Sequence, residues 1–90
     1  LHLLRIARRG VEELAQVTGL KPGSVTGLSA LEDGFSLEVE MVEKESIPRS
    51  MDILALYRAR LDPEGHLLGF ERLGLRRRGE TTVGETALDA

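Results

Sequence analysis

The chain has 90 residues, 41% hydrophobic and 30% charged, with a formal net charge of -3. That is the composition of a small globular domain rather than a disordered segment, and its slight acidity gives the whole chain no general attraction to nucleic acid or to an anionic membrane. The absence of cysteine excludes disulfides and thiolate chemistry, and neither a signal-peptide pattern nor an apolar run near the ~20 residues of a membrane span is present.

The first element predicted is a helix from Leu1 to Thr18, with Leu4, Ala7, Val11, Leu14 and Ala15 on one apolar stripe. Arg8 with Glu12, and Arg9 with Glu13, stand four apart and are placed to pair across its surface. Gly10 costs the helix about 1 kcal/mol against alanine; it reads either as a point of close packing on a sheet or as a glycine tolerated without a structural reason. Gly19 supplies a left-handed stop and Pro22 blocks resumption.

Ser24 to Glu32 reads as a weaker strand, because Val25, Leu28 and Leu31 do not keep a period of two; Gly27 is the expected bulge. Asp33-Gly34 signals a tight turn. The next limb alternates, with Phe35, Leu37, Val39 and Met41 on one side and Ser36, Glu38 and Glu40 on the other. A loop bearing Ile47-Pro48-Arg49-Ser50 follows, since proline lacks a ladder N–H and restricts its predecessor. The third strand puts Ile53, Ala55, Tyr57, Ala59 and Leu61 on one face, and Asp52, Arg58 and Arg60 on the other. Asp62-Pro63-Glu64-Gly65 is a second turn. His66 to about Arg77 is a fourth strand whose apolar residues change parity between Phe70 and Leu73, with Gly69 or Gly74 marking the change.

This order predicts an α+β fold: one N-terminal helix packed on a four-stranded antiparallel meander sheet. Residues 1–78 form a single domain in this reading, and the polar, small residues 79–90 a C-terminal tail. The expected core comprises Leu4, Val11, Leu14, Phe35, Leu37, Val39, Met41, Ile53, Tyr57, Leu68 and Phe70.

The residues offer little for catalysis. His2 and His66 lie in different elements without metal-ligand spacing. Glu38 and Glu40 read as solvated strand charges opposite Arg58 and Arg60 rather than as an acid–base pair. The serines lack a nucleophile-elbow context, and Gly65-His66-Leu67-Leu68-Gly69 lacks the lysine and following helix of a phosphate loop. No catalytic, metal or cofactor residue is assigned, and no cofactor is expected.

Arg76-Arg77-Arg78, extended by Arg58, Arg60 and Arg72, is a basic edge that defines the alternative reading: a small nucleic-acid-binding or regulatory domain. Against it, Phe35, Tyr57 and Phe70 all fall on the core parity, which leaves no stacking platform for single-stranded bases. The outer sheet face is more informative. Val42, Leu54 and Leu56 fall there beside Glu38, Glu40, Arg58 and Arg60. One helix cannot cover both sheet faces, so Glu38, Glu40, Leu54, Leu56, Arg58 and Arg60 are the candidate partner-binding residues, for another protein or a second copy. Scattered surface leucines are the equally ordinary explanation.

The order and spacing of Val42-Glu43, Glu45, Ile47-Pro48, Asp52-Ile53-Leu54-Ala55, Tyr57, Leu61-Asp62, Gly65, Leu67 and Phe70-Glu71-Arg72 resemble the gas vesicle protein O (GvpO) family. Leu14-Ala15-Gln16-Val17-Thr18-Gly19 and Val25-Thr26-Gly27-Leu28 extend the resemblance upstream, so that it covers about Val11 to Arg78. Phe35 stands where that pattern has tryptophan, Leu75 near an expected tyrosine, and Lys44 interrupts an acidic-apolar run. The resemblance implies a cytoplasmic, gas vesicle-associated, non-enzymatic accessory protein for assembly of these buoyancy organelles. It implies other gas vesicle proteins as partners, the AAA+ ATPase gas vesicle protein N foremost.

Overall fold

A computed structural model describes residues 2–79, so the expected tail lies outside the described residues from position 80 onward. The elements are α1 (His2–Thr18), β1 (Lys21–Leu31), β2 (Gly34–Lys44), a single 3-10 turn (Arg49–Met51), β3 (Ile53–Leu61) and β4 (Leu67–Arg77). The strands form one sheet in the order β1-β2-β3-β4, every neighbouring pair antiparallel. This is the expected α+β meander.

Local chemistry sets the boundaries. Gly19 ends α1 at φ +74, donating its N–H to the Ala15 carbonyl at 2.8 Å. The Thr18 hydroxyl satisfies the last turn, donating to the Leu14 carbonyl at 2.7 Å and accepting from the Leu20 N–H at 3.2 Å. At the β1–β2 turn Gly34 has φ +155, and a Cβ there would run into the Leu61 carbonyl oxygen, so the position is closed to any side chain. The peptide bond before Pro48 is cis.

The core lies between α1 and the inner face of β2 and β3. Leu14, Leu37, Val39, Met41, Ala55, Ala59 and Leu61 are wholly buried, and Ile6 and Tyr57 nearly so. Gly10 faces this layer: a Cβ there would stand 2.8 Å from Leu61 Cδ1 and 3.0 Å from Leu37 Cδ2. The glycine therefore sets the closeness of helix to sheet, outweighing its poor helix propensity.

Several expected core residues are corrected. Leu4 is 61% exposed, and Ile6 takes its place. The two lie about 160° apart around a helix, and the buried line runs through Ile6, Gly10 and Leu14. Leu68 and Phe70 are 61% and 43% exposed. The cause is β4's two irregularities: Leu68 is the extra residue between the Leu61↔Leu67 and Arg60↔Gly69 pairs, and Leu73 the extra residue between Tyr57↔Arg72 and Leu56↔Gly74. Each precedes a glycine flagged by the parity change. Phe70 nonetheless rests its ring on Tyr57, centroids 5.9 Å apart. Ile53 and Phe35 are partly buried. In β1 the register shifts between Pro22 and Val25 and again before Gly27, and the strand begins at Lys21 rather than Ser24.

The helix charges also differ from expectation. Glu13 accepts the Leu67 N–H at 2.8 Å and pairs with His66 Nδ1 at 2.9 Å, while Arg9 donates to the Glu64 carbonyl at 3.1 Å. These bonds latch α1 to the β3–β4 turn. Arg8 and Glu12 form no pair among the described residues.

Candidate partner-binding face

The outer face is assembled by strand register. Across β2 and β3, Glu38 stands opposite Arg58, Glu40 opposite Leu56, and Val42 opposite Leu54; β4 adds Glu71 opposite Arg58, Gly74 opposite Leu56 and Arg76 opposite Leu54. Arg58 donates from Nε and Nη2 to Glu38 Oε2, both at 3.3 Å, and from Nη1 to Glu71 Oε2 at 3.3 Å. One guanidinium therefore links three strands. Arg60 reaches Asp33 of the β1–β2 turn at 3.4 Å.

The strongest pair is Arg76 with Glu40. Nε donates to Oε2 at 2.7 Å and Nη2 to Oε1 at 3.0 Å, a two-pronged geometry that fits a planar guanidinium to a carboxylate. Because Arg76 sits opposite Leu54 on β4 and Glu40 belongs to β2, the Arg76 side chain must cross β3. Its aliphatic stem covers apolar surface on the way. Leu54, which lies beside Arg76 and Glu40, is 2% exposed, and Val42, between Lys21 and Leu54 in the register, 7%, which corrects the expectation that both lie open on this face. A shallow depression of about 250 Å3 remains among Glu40, Leu54, Leu56, Gly74, Leu75 and Arg76.

Of the six candidate residues, the fold thus brings Glu38, Glu40, Leu56, Arg58 and Arg60 together on one surface and places Leu54 beneath it. Sequence reasoning missed Asp33, Glu71 and Arg76 as members of the same network. Glu71 and Arg76 are set on this face by β4's irregularities, which sequence parity alone does not count.

Asp52 was missed as well. It is 2% exposed at the base of the β2–β3 loop, where its carboxylate accepts the Ser46 N–H at 2.7 Å and Arg78 Nε at 3.2 Å. The Ser46 N–H foremost, with the Arg78 guanidinium behind it, holds this carboxyl below the usual aspartate range despite burial. Asp62 is likewise lowered, first by the His66 N–H and then by the Glu64 N–H, and Glu13 by the Leu67 N–H and then by His66. All three carboxylates accept backbone N–H bonds: Asp52 and Asp62 close the connections that follow β2 and β3, and Glu13 ties α1 to the start of β4. The basic run is similarly occupied: Arg76 is held by Glu40 and Arg78 by Asp52, which removes two of its three guanidiniums from a phosphate-binding role. Among the described residues no group of three or more histidines or carboxylates could hold a metal ion, and no helix is long and apolar enough to cross a membrane.

These features define a small α+β protein built on one open antiparallel sheet. The family model described as "Gas vesicle synthesis protein GvpO" matches residues 1–82, and the chain belongs to that family. It is 36% identical over 78 residues to gas vesicle protein O of Streptomyces sp. (strain CB03234), covering 87% of this chain and 61% of that relative. It is 40% identical over 48 residues to gas vesicle protein O of Haloferax mediterranei, covering 53% and 34% of the two chains. Gas vesicle protein O1 of Halobacterium salinarum is 37% identical over 49 residues, covering 54% and 41%. The chain therefore spans less than two thirds of the length of each of these relatives. No solved structure matches it.

Proposed function

We propose that this chain is a non-enzymatic accessory protein of gas vesicle assembly that acts by protein–protein contact through the outer face of its sheet. Family membership supports the gas vesicle context. The observation that carries the contact surface is the three-strand network of Glu38, Arg58 and Glu71 beside the half-buried Leu56, on the face opposite α1. Such a surface offers an apolar patch with charges that fix register and partner choice. In this reading residues 1–78 are the working domain, the protein acts in the cytoplasm, and the AAA+ ATPase gas vesicle protein N is the first partner to test.

The test is the double variant Leu56→Glu with Arg58→Glu, measured for thermal stability and for binding to that ATPase. A melting temperature within a few degrees of wild type with binding lost supports the surface. Wild-type binding by the folded double variant falsifies it, and failure of the wild-type protein to bind any gas vesicle component removes the contact role.

A further inference from the structure

The loop joining β2 to β3 leaves the sheet at Lys44 and returns at Ile53, at the end opposite the β1–β2 and β3–β4 turns. Ile47 at its tip is 99% exposed, and Met51 is 44% exposed. A single exposed apolar side chain is ordinary on a protein surface; what sets this one apart is that the loop bearing it is held. Asp52 clamps its base through Ser46 and Arg78. Within it, Met51 N–H donates to the Pro48 carbonyl and Asp52 N–H to the Arg49 carbonyl, both at 2.9 Å. On its far side Gly79 N–H donates to the Ser50 carbonyl and Arg78 N–H to the Asp52 carbonyl, both at 2.8 Å. Much of the backbone ordering that would otherwise weaken binding is therefore already made in the free protein.

The charges around the tip are sorted. Glu43 pairs with Arg72, Glu45 with Lys21 and Asp52 with Arg78. Lys44 and Arg49 form no ion pair among the described residues. The loop therefore displays two apolar side chains with a positive charge on either side of Ile47, Lys44 before it and Arg49 after it, the latter within the electrostatic reach of Asp52.

We propose that this loop is a second docking element, separate from the outer sheet face, which inserts Ile47 into an apolar pocket rimmed by carboxylates on a partner protein. Charge complementarity with Lys44 and Arg49 sets the acidic rim. A lipid surface fits less well: even a single myristoyl chain gives only marginal membrane binding, and two side chains bury less. Single-stranded nucleic acid would need an aromatic face, which Ile47 lacks.

The choice of partners to test rests on the gas vesicle reading above. Full-chain wild type, Ile47→Asp, and Lys44→Glu with Arg49→Glu are titrated against the purified gas vesicle ATPase, the purified shell protein, and vesicles containing phosphatidylserine. Because Ile47 touches solvent on all sides, its substitution leaves the melting temperature unchanged. The expected result is binding to one of the two proteins that weakens about tenfold or more in Ile47→Asp, with the charge variant weaker at low salt and its salt dependence flattened.

Binding that both loop variants retain, while Leu56→Glu with Arg58→Glu abolishes it, overturns this inference and leaves the outer-face reading intact. Loss in the loop variants with retention in the outer-face variant supports this inference and sinks that reading. Ile47-dependent binding to vesicles alone makes the loop a lipid anchor and overturns the proposal. A wild-type chain that binds neither protein overturns both.

Discussion

The two faces of β3 are closed by different means. On the inner side Ala55, Tyr57, Ala59 and Leu61 are buried, and Ile53 at the start of the strand partly so, under α1 and neighbouring side chains. On the outer side exposure grows along the strand: Leu54 is buried, Leu56 half-buried, and Arg58 and Arg60 open. Among the described residues no helix covers the outer side. Its closed end is roofed by the chain's own arginine, drawn across β3 by Glu40. A sheet with one helix therefore does not have one dry and one wet face. A single ion pair of good geometry can bury a leucine on the nominally wet one, and what stays exposed on that face is its open end, around Arg58 and Arg60.

The comparison is broken most forcefully by placing a charge on the dry side. Val39 is fully buried against the helix layer, so Val39→Asp is expected to cost more than about 3 kcal/mol in urea unfolding, since it buries a charge with no partner. Leu54→Ala sharpens the contrast. Strand alternation assigns Leu54 to the surface, where truncation costs within about 0.5 kcal/mol; its 2% exposure predicts a loss of about 2–4 kcal/mol. A loss below 1 kcal/mol would mean that the Arg76 stem does not shelter it.

What the sequence showed plainly was what short-range chemistry controls. The helix stop at Gly19, the Asp33-Gly34 turn, the Asp62–Gly65 turn and the alternation of β2 and β3 each depend on residues within a few positions of one another, and all appear as read. Misreadings arose where distant residues decide. The helix stripe was rotated toward Leu4 because Gly10 bears no apolar mark, though a Cβ there would press on Leu37 and Leu61 of the sheet. β4's parity break was visible, but its consequence, Leu68 and Leu73 as extra residues, depends on pairing with β3. Of the candidate site, five residues were correctly brought onto one face by alternation alone. Leu54 was misplaced because its cover comes from Arg76, 22 positions later in the numbering of the chain. Asp52 matched the family pattern and shared parity with Arg58 and Arg60, yet nothing local showed that its carboxylate would close the loop.

Asp52 offers a test by pH at the closed end. Its carboxyl is lowered in the folded protein by the Ser46 N–H and the Arg78 guanidinium. A lowered folded-state value means that the ionised carboxylate stabilises the fold above the unfolded aspartate's range, about pH 4, and that this contribution fades as pH falls through the lower folded value. Asp52→Asn retains an acceptor for Ser46 but loses the charge facing Arg78. Thermal melts should therefore show wild type more stable than Asp52→Asn at neutral pH, with the gap steady down to about pH 4 and closing below it. The lowered Asp62 and Glu13 are present in both proteins and drop out of the difference to first order. A gap that widens on acidification would reverse the assigned direction.

The smallest effect belongs to the open end. Arg58 and Glu38 have side-chain exposures of 47% and 37% and meet at 3.3 Å. Two solvated side chains give up rotamer freedom to form such a pair and gain little from screened attraction, so its coupling should be about 0.2–1 kcal/mol. A double-mutant cycle with Glu38→Ala and Arg58→Ala, by urea unfolding at low and high salt, isolates that term. Arg58 also holds Glu71 at 3.3 Å, so its single substitution should cost more than that of Glu38. The same cycle with Glu40 and Arg76 gives the comparison: their side chains are only 14% and 34% exposed and bonded twice, so their coupling should exceed that of Glu38 with Arg58 and fall less in salt. Equal couplings at the two ends would remove the distinction between the roofed and the open parts of this face.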